Sequence, residues 1–348
     1  MRIAVRGGRG FDCFAIAGSI MLSCSSLANS ASAATAPSVS EEMPAALAPF
    51  VVDGRFRPGS FEWLRWSFSA DPKEKARWKQ LVAWAAAKAE ARKKAVASDL
   101  TALGVDTARA RGDCFDDEAC GWIMVSGFLT GLPSWTAAEK ALLEARPAAE
   151  GYILAVEAME RQAREETTAG SAVHELLTRT RAEQMLRAAM MDRQAMPPQL
   201  SAEGKRAWQM FIWREIARRD NDNTRWLKGK VAKDGWPRRS VVGAEAAHAA
   251  WLLAQHADRD PAFQLQALRL MEPLVAANEV TPKDYAYLYD RVVGELRGRQ
   301  RYGTQMICTG GKFAPQPIED PANLDKRRLA VGLSAMREQV SKYADRTC

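Results

Sequence analysis

The sequence predicts a mainly α protein: an N-terminal helical domain, then a C-terminal helical domain with one short β-hairpin. Three observations lead there. Apolar residues recur at helical spacing through most of the chain. Capping side chains followed by proline, or runs closed by glycine, punctuate those stretches. The period falls to two around a Gly-Gly pair, which places a hairpin near 302–314.

The first 33 residues read as a secretory signal. Arg2, Arg6 and Arg9 precede an apolar run from Phe14 to Leu22, and Ala31-Ser32-Ala33 offers small residues for cleavage after Ala33. That run is shorter than the roughly 20 residues a bilayer span needs. Later apolar stretches are interrupted by charge, so no membrane span is expected and the location is periplasmic or secreted. The chain has a formal net charge of +7, and the signal carries two units of it. The surplus permits attraction to anionic surfaces without demanding it.

Residues 34–49 are small, polar and proline-bearing, and read as a flexible leader. The remaining length exceeds one typical core, which suggests two domains, 50–168 and 171–348. In the first, Asp71-Pro72 starts a helix through Trp78, Leu81, Val82, Ala85 and Ala89 that stops at Gly104. An apolar run covers Trp122–Leu129, and Pro147–Glu166 is a further helical pattern. Trp63, Trp66, Trp78, Trp84, Trp122 and Trp135 make this region tryptophan-rich. Sugar stacking is conceivable chemistry for them, but packing between helices is the simpler role.

In the second domain, helices are expected at Glu175–Met191, Ala202–Arg219, Asn223–Lys233 and Gly243–Ala257. Gly235-Trp236-Pro237 is a stop signal, and Trp236 is expected to anchor that loop on Val241-Val242. Asp260-Pro261 and Thr281-Pro282 each start a helix, and Asp284 forms a capping-box-like partner to Thr281. Tyr302–Cys308 then alternates into Gly310-Gly311, and Asp320-Pro321 starts a last helical pair.

Four cysteines follow the signal. Their even count in an oxidising compartment suggests two disulfides with three possible connectivities; Cys114 and Cys120 flank a loop short enough to close locally, and Cys308–Cys348 would then tie the C-terminus back. No Cys-x-x-Cys pair is present, and the three histidines are few and scattered, so neither a metal nor another cofactor is expected. No phosphate loop, nucleophile elbow or dinucleotide fingerprint occurs. The basic stretch Arg218–Arg239 is broken by Asp220, Asp222 and Asp234, which reads as a solvated face and gives no support to nucleic-acid binding.

Three polar clusters could carry chemistry. Gln255 and His256 end an apolar helix, and Asp258 can reach His256 if the helix breaks between them. A carboxylate beside an imidazole orients it as a general base. A histidine near a helix C-terminus can equally serve the helix dipole. Tyr302, Thr304 and Gln305 present a phenol, a hydroxyl and an amide beside Gly303. Asp290 and Arg291 form an ion pair or an anion clamp.

Taken together, residues from about 171 to 342 resemble the bacterial family catalogued as domain of unknown function 6624. The resemblance rests on Glu183-Gln184 with Arg187, on Asp220 with Asn223, and on Gly235-Trp236-Pro237 and Val242-Gly243. It continues through Gln255-His256-Ala257-Asp258, Tyr287-Leu288 with Asp290-Arg291, Tyr302-Gly303-Thr304-Gln305, and Pro317–Pro321 with Asp325 and Arg328. Where the family commonly has Asp-Gln, this chain has Glu183-Gln184. The resemblance implies that the polar motifs form one site and supplies no reaction.

Two functions follow as expectations. The first is a metal-independent hydrolase or transferase acting on a polar envelope substrate. There His256 is the base, Asp258 or Asp290 its orienter, and Gln255, Arg291, Tyr302, Thr304, Gln305 and Trp236 line the substrate site. The second is a non-catalytic binding or scaffold module, whose partner is a polar small molecule or an envelope component. Burial separates them: an open His256 favours the enzyme, a sealed network the module.

Overall fold

The computed structural model describes residues 42–166, 171–191 and 196–344. The expected signal, the first half of the expected leader (34–41), the expected junction at 167–170 and Cys348 lie outside the described residues. The described residues fall into two compact units, which divide between Leu288 and Tyr289.

The first unit opens with a 3-10 turn, Ala45–Phe50, and a two-residue hairpin, β1 (Val51–Val52) and β2 (Arg55–Phe56). Its turn is Asp53-Gly54, both at positive φ, which matches the twist of a tight hairpin. This hairpin adds to the one the sequence led us to expect. Helices α1 (Glu62–Arg65), α2 (Pro72–Ala102), α3 (Glu118–Val125), α4 (Gly127–Thr130) and α5 (Trp135–Glu165) follow. The Asp71 carboxylate accepts from the Lys73 and Glu74 amides, which is why α2 starts where the Asp-Pro pair predicts. Helix α5 begins twelve residues before the expected Pro147, because the Ser134 hydroxyl caps it by accepting from the Ala137 amide at 3.2 Å.

Helices α6 (Ala172–Met191), α7 (Ala202–Asp234), α8 (Arg239–Val242), α9 (Ala244–Gln255) and α10 (Pro261–Ala276) complete this unit with the start of α11 (Pro282–Arg297). The two helices expected at 202–219 and 223–233 are one continuous α7. The weak helix formers Asp220, Asp222 and Asn223 suggested a break, but arginines of α6 hold their side chains: Arg187 holds Asp220, and Arg179 holds Asp222 and Asn223. Tertiary ion pairing overrides local propensity here.

One hydrophobic core draws on both sides of the expected junction. Trp63 and Trp84 are buried in it with Trp208 and Phe211 of α7. Phe61 meets Trp122 edge-on at 5.3 Å and Phe211 at 5.7 Å. The tryptophans of the first region are thus largely core aromatics.

The second unit contains the rest of α11, a hairpin of β3 (Met306–Thr309) and β4 (Lys312–Pro315), a 3-10 turn, α12 (Leu324–Ala330) and α13 (Met336–Ser341). The strands pair antiparallel with Thr309 opposite Lys312. Gly310 and Gly311, at φ +59° and +77°, supply the turn. Tyr302–Gln305 precedes β3 as a loop, where a strand was expected.

Candidate functional site

Helix α9 ends at Gln255, and His256 is its C-cap at φ −99°, ψ 6°. This geometry turns the imidazole toward α6. His256 Nδ1 is hydrogen-bonded to Glu183, a carboxylate 73 residues earlier. The expected orienters were Asp258 and Asp290, so the carboxylate that meets His256 is a different one. Spacing within α9 could not reveal it, because the contact is tertiary. The Asp258 carboxylate instead accepts from the Gln264 amide at 3.2 Å.

Arg187, one turn along α6, donates to the same Glu183 oxygen at 2.7 Å. Its other end grips both oxygens of Asp220 on α7, at 2.8 and 2.9 Å. Four charged or chargeable groups from three helices therefore form one chain of contacts. Burial alone would push Glu183 up, but His256 and Arg187 overcome it and hold the carboxyl below the usual glutamate range. The Asp220 carboxyl is pushed up, first by burial, with Arg187 and Arg259 opposing and Glu183 adding to the rise. Burial also works against the Arg187 charge, but Asp220 and Glu183 more than offset it.

An ionised Glu183 can only accept, so Nδ1 carries a proton and Nε2 is the imidazole's remaining basic atom. The second oxygen of Glu183 is buried without a hydrogen-bond partner, and so are both ends of the Gln255 amide. Glu183 is 0% exposed and His256 6%. The centre is nearly closed.

Arg259 flanks it from the loop after α9, with Nη1 3.6 Å from Asp220. Among the described residues, no group of three or more His, Cys, Asp and Glu side chains is arranged to hold a metal ion. Nor is any helix among the described residues long and apolar enough to cross a membrane.

The second unit holds five more of the expected site residues, Asp290, Arg291, Tyr302, Thr304 and Gln305. Asp290 is fully buried, and its carboxylate accepts from the Arg301, Tyr302 and Thr304 amides and the Thr304 hydroxyl, all within 3.1 Å. Burial pushes its carboxyl up against those four donors. Arg328, equally buried, donates to the Tyr302 and Ser334 carbonyls at 2.6 Å. Gln300 bonds the Gln305 backbone at both its amide and its carbonyl. Thr304 and Gln305 are buried in this knot, Arg291 is buried, and the Tyr302 ring is half-buried against Tyr289 at 5.8 Å. Asp290 thus spends its acceptors on its own loop. Trp236, in the link between α7 and α8, is buried; of its expected supports, Val241 is largely exposed and Val242 half-buried.

Cys114 and Cys120 pair at disulfide distance, with Cα atoms 5.7 Å apart. Cys308 is also disulfide-bonded, and its expected partner Cys348 lies outside the described residues.

A polar cleft of about 350 Å³ opens between α5, α6 and α7, lined by arginines including Arg164, Arg179, Arg218 and Arg219. Carboxylates answer these four: Arg219 meets Glu160 and Glu215, Arg218 meets Glu215, Arg179 meets Glu175 and Asp222, and Arg164 meets Glu175. The ion pairs leave it little surplus charge for an anion.

A family model described as Family of unknown function (DUF6624) matches residues 173–347. No curated protein and no solved structure matches the chain.

Proposed function

The chain belongs to the family of unknown function DUF6624, and from that premise we propose that it works as a non-catalytic binding or scaffold module of the cell envelope. One observation carries this reading: His256 and Glu183 are buried together inside an ion-paired network. A general base must meet its substrate within hydrogen-bond reach, which a nearly sealed imidazole does not offer. A closed, connected set of charges is instead suited to fixing α6, α7 and α9 in one arrangement. The partner is a polar small molecule or an envelope component. Export through residues 1–33 supplies the location, and the Cys114–Cys120 pair is compatible with an oxidising compartment.

A specific observation favours the enzyme as a second reading. A carboxylate on Nδ1 is the arrangement that orients an imidazole for proton abstraction through Nε2. In that case Glu183 is the orienter and His256 the base of a metal-independent hydrolase or transferase.

His256→Gln separates the two. The module reading expects a large fall in melting temperature and no turnover by the parent of model esters, amides, phosphoesters or glycosides. Turnover by the parent that disappears in a His256→Gln protein melting near the parent temperature would replace it with the enzyme reading.

A further inference from the structure

Arg259 is held from outside the segment that matches the family. The Asp113 carboxylate approaches its Nε at 2.9 Å, as an ion-pair contact. The Phe115 ring lies 4.6 Å from its guanidinium carbon. Arg92 of α2 donates to its backbone carbonyl at 3.0 Å.

The loop carrying Asp113 and Phe115 is itself fixed at both ends. At Gly112 the chain crosses α2 so closely that a Cβ would sit 2.1 Å from the Ala89 carbonyl oxygen and 2.3 Å from the Lys93 nitrogen. Two residues on, Cys114 is joined to Cys120 inside α3. Both cysteines are buried, so this bond is a staple with no exposure to passing thiols. The Asp117 carboxylate accepts from the Cys120 amide at 2.9 Å and caps α3. Asp113 also accepts from the Phe115 amide at 3.1 Å, which sets the two clamping side chains relative to each other.

We propose that the loop 112–120 is a positioning device for the charged centre: Asp113 and Phe115 hold the Arg259 guanidinium beside Asp220. Arg259 then completes the set of charges on Asp220. Glu183 and Arg187 face it from α6, His256 from the end of α9, and Arg259 from the loop that follows. The matched segment supplies the network, and the tryptophan-rich region supplies the fixed point that finishes it. Asp113 and Phe115 are positioning residues, because they act through Arg259.

This rests on the buried network being the working centre of the protein, but its test needs no partner or substrate and fails or succeeds apart from that reading. The measurement is the pH at which the Asp220 carboxyl carbon titrates, in the full-length mature chain selectively labelled at aspartate. Arg259→Gln removes a cation and should raise that pH. Phe115→Leu, which keeps apolarity and changes no charge, should raise it in the same direction by less. Arg259→Lys keeps the charge but loses the fork and the ring contact, and should fall between parent and Arg259→Gln.

Melting curves run in parallel identify any variant that fails to fold, and the titration is read on those that do. Two results overturn the proposal. In one, Arg259→Gln leaves Asp220 titrating as in the parent. In the other, Phe115→Leu lowers the melting temperature while the Asp220 titration stays where it was.

Discussion

Glu183 is the residue on which the buried centre turns. Its Oε1 accepts from both Arg187 and His256, so replacing it by glutamine keeps an acceptor but removes the charge those two groups face in a dry site. Removing one partner of a buried ion pair typically costs about 3–5 kcal/mol. The effect should depend on pH with a definite sign. Glu183 is held below its ordinary value, so its contribution is present above the unfolded glutamate range and is lost as pH falls through the folded one. Asp220 has the opposite sign: its carboxyl is pushed up, so protonation in acid relieves a cost carried at neutral pH. The parent profile mixes both terms. The stability difference between parent and Glu183→Gln carries the first together with the part of the Asp220 rise that Glu183 adds. Measured by urea unfolding, it should be largest near neutrality and shrink toward pH 3; a difference constant with pH would remove the charge argument.

At the scale of elements, one loop is held from inside by buried side chains. The Tyr302–Gln305 loop has no strand ladder, yet Asp290, Gln300 and Arg328 saturate its backbone from inside. Asp290→Asn keeps the size but exchanges an acceptor-only carboxylate for an amide that brings donors of its own against three N–H groups. Hydrogen exchange at residues 301, 302 and 304 should then accelerate, while exchange in α7 stays unchanged. Equal protection of those three amides in parent and variant would deny Asp290 its role. The elements also show how local signals compete. The Asp-Pro caps at 71–72 and 260–261 act as their chemistry dictates. The polar run at 220–223 suggested a helix break, because local spacing carries no information about the arginines of α6 that hold it.

For the whole molecule, the division of the chain falls inside α11, at Leu288, while helices on both sides of 167–170 share one core. Export is the prediction that belongs to this scale. Produced in a bacterium with an outer membrane, the protein should be recovered from the periplasm with Ala34 as its first residue. Non-reducing peptide mapping of that material should join Cys114 to Cys120 and Cys308 to Cys348. A cytosolic chain retaining residues 1–33, or an alkylatable Cys348, would overturn the assignment. The sequence by itself determined the helical class, the starts of α2, α7, α9, α10 and α11, the Gly-Gly hairpin and the polar motifs, because periodicity, capping and turn chemistry act over a few residues. It also contained the Asp53-Gly54 signal for the first hairpin. Only the tertiary structure decided that Glu183 meets His256, that Asp290 serves its own loop, and that Asp113 and Phe115 reach Arg259. Those contacts join residues from 11 to 146 positions apart, and the packing that brings them together leaves no periodic trace in the chain.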